Sequence, residues 1–248
     1  MEEEKQENQA PKVYQTENPA GENTGVSESE KSEEKPQDEG ENTREEPVSE
    51  KIKALNLYMA FLRAVKPIIY DKCVKTGIVA LNIFNVLNME FDVVNISSEN
   101  KITLSKDDLV VASYFANIGF MGIPEYILYK QGILSDSEYD IIKEHTKVSA
   151  NICSIIAPEV FTVVADHHEL PLAKGYNKKM TGVARSSYVI GIADRFVSSS
   201  HMMGSLYRPA NSRIDAVSNA INMFDVTSQV FSMDQINQIV DMLLQIDI

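Results

Sequence analysis

At Ser105 with Asp108, Ser135 with Glu138, and Ser232 with Gln235, a serine stands three residues ahead of a carboxylate or amide side chain, just where an apolar run begins. In such a pair the hydroxyl accepts a hydrogen bond from an orphan N–H of the first helical turn. The side chain three residues on reaches back to the serine's own N–H. Each pair therefore predicts a helix start. Ser49 offers a further cap, ahead of Ile52, Leu55, Tyr58, Met59, Leu62 and Val65, whose spacing lays one apolar stripe along a helix that breaks at Pro67. Apolar patterning predicts further helices over residues 69–87, 158–168, 184–202, 210–224 and 233–245. Between Phe91 and Leu104 β-branched residues flank Ser97-Ser98-Glu99-Asn100, the pattern of a small hairpin or an extended loop. The expected fold class is all-α, a bundle of about seven to eight helices with that one hairpin.

Composition divides the chain near residue 50. Residues 1–50 hold 16 acidic against 5 basic side chains, a net of −11, whereas residues 51–248 hold 20 against 18. The first segment has few apolar residues, no apolar period, and prolines at 11, 19, 36 and 47. It cannot bury enough apolar surface to offset chain entropy, so a disordered acidic tail over 1–50 is expected, ahead of one helical domain over 51–248. An acidic tail on a near-neutral domain argues against binding a nucleic acid polymer, which needs concentrated positive charge. No secretory signal and no membrane span is recognisable in the sequence, and two cysteines, Cys73 and Cys153, do not make a disulfide framework. A cytoplasmic protein is expected.

The candidate chemistry begins with His167-His168-Glu169, followed closely by Lys174-Gly175-Tyr176. Neighbouring imidazoles suit a metal, and a lysine, a glycine and an aromatic suit a phosphate group. Upstream stand Asn117-Ile118-Gly119-Phe120-Met121-Gly122-Ile123-Pro124, then Ile127-Leu128, Lys130, Gly132, Leu134, Glu138, Ile141-Ile142 and His145. Taken with the His167-His168 pair, Ala193-Asp194 and Tyr207-Arg208, this ordered series resembles the HD-GYP domain family over roughly residues 68 to 245.

That resemblance implies an HD-superfamily helical bundle, in which active members bind two or three metal ions and hydrolyse cyclic di-GMP. Metal ions would clamp the phosphodiester and lower the pKa of a bound water that attacks phosphorus. Position by position, however, this chain departs from the family. Ala116 and Asn117 replace the name-giving His-Asp pair, and Phe120 replaces a lysine. Cys73 stands nearest an early histidine. By resemblance, His145, His167 and His168 would face one metal, with Asn117 or water as a fourth partner. Asp194 would belong to a second metal whose other partners are largely gone. The implied cofactor is one divalent metal (Fe, Zn or Mn) or none. Lys174, Gly175, Tyr176 and Arg208 would hold a cyclic dinucleotide.

Each residue also has a plainer reading. His145 on an amphipathic helix is commonly a surface or core polar residue, Asp194 can pair with Arg195, Cys73 can be a small core residue, and Lys174-Gly175-Tyr176-Asn177 can be a surface turn. Leu170, Leu172, Met202, Met203 and Leu206 suggest an apolar patch for a protein partner. The expected function is thus a degenerate HD-GYP-like protein that acts as a cyclic di-GMP receptor or an interaction scaffold. The alternative is a phosphodiesterase with a remodelled metal site.

Overall fold

A computed structural model describes residues 48–95, 101–179, 181–200, 210–222, 224 and 230–248. Most of the expected acidic tail, residues 1–47, lies outside the described residues. The first helix, α1 (Glu50–Val65), starts where Ser49 accepts a hydrogen bond from the Ile52 N–H. Its buried stripe is Ile52, Leu55, Met59 and Leu62. Lys66 breaks the helical geometry, and Pro67, which needs no N–H partner, opens α2 (Pro67–Val86) at its first position.

α2 is the central element: α1 packs on it, as do α3 (Lys106–Phe115), α8 (Arg185–Ser200) and α10 (Met233–Gln245). A helix packed on several sides must be buried nearly all round. Accordingly Ile69, Cys73, Val74, Val79, Ala80, Ile83 and Phe84 are all buried. Two polar residues, Lys72 and Thr76, are buried with them. The hairpin is present as β1 (Asp92–Asn95) antiparallel to β2 (Lys101–Leu104), with Asp92 opposite Leu104. Its Asp92 carboxylate accepts the Ser186 N–H at 2.7 Å, tying the ribbon to the start of α8.

The three predicted capping boxes are all formed, at Ser105 for α3, at Ser135 for α5 (Asp136–Lys143) and at Ser232 for α10. Between α3 and α5 the chain makes a 3-10 turn, Ile118–Gly122, and the single turn α4 (Glu125–Leu128). α6 (His145–Cys153) follows, then a second 3-10 turn at Pro158–Val160 and α7 (Phe161–Ala165). A third 3-10 turn lies at Pro171–Ala173, and α9 (Arg213–Ile221) begins at its own serine cap, Ser212. Ten α-helices are thus present among the described residues, more than the seven to eight expected, because α4 and α7 are short turns and the run predicted over 158–168 opens as 3-10. The all-α class with one small hairpin holds.

Candidate metal centre

Three imidazoles converge where the end of α7, the start of α6 and the middle of α8 meet. His145 opens α6, directly after Glu144 closes α5; His167 and His168 lie in the turn that ends α7. One ligand atom from each of the three falls within 4.8 Å of the others. The His145 Nδ1–H donates to the Ile142 carbonyl at 2.7 Å, and the His167 Nδ1–H to the Val164 carbonyl at 2.6 Å. A carbonyl can only accept, so each Nδ1 carries the proton and each neutral ring turns an Nε2 lone pair the other way. Those two Nε2 atoms are 3.4 Å apart.

Two facing lone pairs need a cation between them. Protonation is an unfavourable choice, because burial pushes the His145 imidazole down to about 3, helped by the neighbouring charge of His167. Burial also lowers His167, and it lowers His168 well below its ordinary value. A divalent ion fits better. Two nitrogens bound at ~2.0–2.1 Å to one tetrahedral zinc stand roughly 3.3 Å apart, close to the spacing seen here. The backbone carbonyls holding each Nδ1–H are the outer contacts that fix tautomer and ring orientation in metal-binding histidines. The donor set thus fits one metal ion.

Beside the histidines lies a second buried cluster. The Asp194 carboxylate, on α8, accepts the Asn117 Nδ2–H at 2.8 Å and an ion pair from Lys72 Nζ at 2.7 Å, both on Oδ1. Its other oxygen lies 3.4 Å from His168 Nε2. Burial alone would raise the Asp194 carboxyl, but the Lys72 ammonium, followed by His168 and His167, outweighs it and holds the group far below the usual carboxylate range. Asn117, at the end of α3, gives its second amide hydrogen to Thr76 Oγ1 at 3.2 Å. Its Oδ1 is buried with no hydrogen-bond partner, an acceptor left over. The ion pair of Asp194 is therefore with Lys72 rather than with Arg195.

Lys72 is the residue that sequence reasoning missed. The family comparison pointed to Cys73, one position on, but a step of one residue turns a helix side chain through about 100°. Cys73 is instead a core thiol, pushed up by burial to about 12. Lys72 and Thr76, four residues apart, share the face of α2 that meets Asn117 and Asp194. Phe120 lies flat against His145, ring centroids 4.1 Å apart and 7° from parallel, and the Lys72 Nζ sits 5.5 Å from the centre of the Phe120 ring.

The Lys174-Gly175-Tyr176 segment is brought to the cluster through Tyr176. Its ring stacks on His168 at 4.5 Å, and Tyr139 meets it edge-on. The loop is pinned by buried Glu169, whose carboxylate accepts the Asn177 and Lys179 backbone N–H groups at 2.6 and 3.0 Å. Gly175 has a packing reason to be glycine: a Cβ there would lie 2.4 Å from the Glu169 Cα. Lys174 is exposed. Tyr207 and Arg208, together with Met202, Met203 and Leu206 of the expected apolar patch, lie outside the described residues. Of the rest of that patch, Leu172 is exposed, but Leu170 is buried in the core rather than available to a partner.

The fold is thus a helical domain that brings three histidines together, with Asp194 and Asn117 close by. Residues 94–225, more than half of the chain, match the HD domain family, and the chain belongs to it. HD domains are metal-dependent, and three histidines of this chain can form such a site. The chain is similar to a cyclic di-GMP phosphodiesterase of Thermotoga maritima, 32% identical over 95 residues, which cover 36% of this chain and 26% of that protein. It is also similar to a cyclic di-GMP phosphodiesterase of Vibrio cholerae, 29% identical over 105 residues, 38% of this chain and 21% of the relative. The chain thus spans about a quarter of the length of the curated relatives it matches. The likeness to HD-GYP domains agrees with this family. Among the described residues, no helix is long and apolar enough to cross a membrane.

Proposed function

We propose that this chain is a cyclic di-GMP signalling protein that holds one divalent metal on His145, His167 and His168 and acts by binding rather than by hydrolysis. The observation that carries the reading is Asn117. Its amide nitrogen donates to Asp194, leaving a single neutral oxygen that is buried without a partner. A neutral amide oxygen does not bring the charge that a bridging carboxylate supplies to two cations a few ångströms apart. Without that bridge, the two-metal clamp on attacking and leaving oxygens is lost, while a one-metal site and a nucleotide surface remain. The nucleotide-binding residues in this reading are Lys174, Gly175 and Tyr176 together with Arg208, which lies outside the described residues, with cytoplasmic signalling through a protein partner as the output.

A second reading draws on the names of the relatives, both of them phosphodiesterases. In it the remodelled site, including Asp194, still hydrolyses the dinucleotide. Metal analysis of the purified chain, calorimetric titration with cyclic di-GMP, and a turnover assay in manganese and ferrous iron separate the two. The receptor reading expects about one metal per chain, measurable nucleotide binding that weakens in Arg208→Ala, and no turnover. Two metals per chain, with turnover abolished in His167→Ala, would instead establish the enzyme.

A further inference from the structure

Lys72 is unlike the other ion-paired lysines among the described residues. Its side chain is only 8% exposed, whereas the lysines at 51, 53, 66, 75, 130, 143 and 179 are between 16% and 58% exposed. A buried ion pair is a poor device for stability, because desolvating both charges offsets most of their attraction. This one lies against the metal-ligand cluster: Asp194 carries Lys72 on one oxygen and faces His168 with the other. The ammonium is also well satisfied where it is, with Ser198 Oγ at 2.6 Å in addition to Asp194, and the Phe120 ring beneath it. A group so fully engaged is built to stay in place.

We propose that Lys72 is a resident cation that holds the centre to a single metal by occupying Asp194 and excluding a second divalent ion. The argument is one of lone pairs and of charge. Asp194 Oδ1 already accepts from Lys72 Nζ and Asn117 Nδ2 at 2.7 and 2.8 Å, so both of its good acceptor directions are taken. A metal bound to that oxygen at ~2.0–2.2 Å would have to displace one of the two donors. Any divalent ion nearby would also meet a fixed positive charge shielded from water. With Lys72 in place the Asp194 charge is compensated internally, and only its Oδ2, 3.4 Å from His168 Nε2, faces the histidines. The inference deepens the one-metal reading and rests on it.

The experiment compares metal stoichiometry in four proteins: wild type, Lys72→Gln, Asn117→Asp and the double variant. Each full-length chain is saturated with manganese, freed of loose ions and assayed by elemental analysis, with the manganese-induced rise in Tm as a second readout. Lys72→Gln removes the positive charge, while the new amide can still hydrogen-bond Asp194 and Ser198. Asn117→Asp alone is expected to hold the same number of ions as wild type, because Lys72 still neutralises the cluster. The double variant is expected to hold one more ion per chain than Asn117→Asp and to show the larger rise in Tm. Equal stoichiometry in those two proteins, or the extra ion appearing in Asn117→Asp alone, overturns the role of Lys72. The wild-type value tests the underlying reading separately: one ion supports it and none removes it, while the increment between variants is readable in either case. If the double variant does not fold, Lys72→Asn with Asn117→Asp asks the same question with a shorter neutral amide, and the same increment decides.

Discussion

Lys72 Nζ and Asp194 Oδ1 form a 2.7 Å ion pair between α2 and α8 in which neither side chain is more than 8% exposed. The two helices pack against each other, so this pair joins the central helix of the fold to the helix whose Gly191 meets the His167 backbone.

Breaking the pair should destabilise the protein strongly. Lys72→Met leaves the Asp194 charge buried without its ammonium partner, with Asn117 as its hydrogen-bond donor and neutral imidazoles nearby. Removing one partner of a buried pair typically costs about 3–5 kcal/mol, mostly because the other charge is left uncompensated. The double variant Lys72→Met with Asp194→Asn removes both charges and should recover a large part of that loss. Urea denaturation of the two variants checks this, and a double variant as unstable as the single one would contradict it.

Metal should stabilise the folded chain, because the unfolded chain does not preserve the three-histidine geometry. At a free metal concentration 100 times its dissociation constant the gain is about 2.7 kcal/mol, or a rise in Tm of roughly 5–10 °C for a chain of this size. His167→Ala should abolish the rise. Differential scanning calorimetry with and without zinc measures both, and an undiminished zinc response in the variant would place the metal elsewhere.

Much of this architecture was legible beforehand. Serine caps and apolar spacing depend on local hydrogen bonds and on one helix face, and the predicted span 233–245 coincides with α10. The hairpin was visible because β-branched residues break the helical period. The convergence of His145, His167 and His168 was legible only through the family resemblance, since their spacing in sequence says nothing of meeting in space. Lys72 was not legible at all. Its identity suggests a solvated surface charge, and only the packing of α2 against α8 places it beside Asp194. The same limit applied to Leu170, whose apolar side chain fits a surface patch or the core equally well until burial decides.

Acid should loosen the start of α5 before the core. The Lys130 ammonium, followed by the Ser135 backbone N–H, holds the Glu138 carboxyl down to about 2. A folded pKa below the unfolded value means that its contribution is fully present above about pH 4.5 and is lost as the pH falls toward 2. Hydrogen exchange of the amides of α5 at pH 5 and pH 3 should show protection falling there first. Glu138→Gln keeps a capping side chain without the charge, and should flatten that pH dependence.

The last prediction concerns Gly191, which sets how closely α8 approaches the His167-His168 turn. A Cβ at this position would stand 2.2 Å from the His167 carbonyl oxygen, too close to be relieved by rotating a side chain, because the obstacle is backbone. Gly191→Ala must therefore push the turn away from α8. Helix propensity alone would favour alanine by about 1 kcal/mol, but overpacking of this kind typically costs about 1–3 kcal/mol. The clash should prevail, giving a net loss of stability. The displacement also has a chemical consequence, since the His168 Nε2 lies 3.4 Å from Asp194 Oδ2 and a shift of one ångström removes that contact. Loss of an outer carboxylate contact weakens metal binding by roughly 10–100-fold in histidine sites. Gly191→Ala should thus lower both Tm and zinc affinity, measured by calorimetry and by competition with a chelating dye. A variant that unfolds more easily yet binds zinc as tightly as wild type would show that the turn does not position the metal ligands.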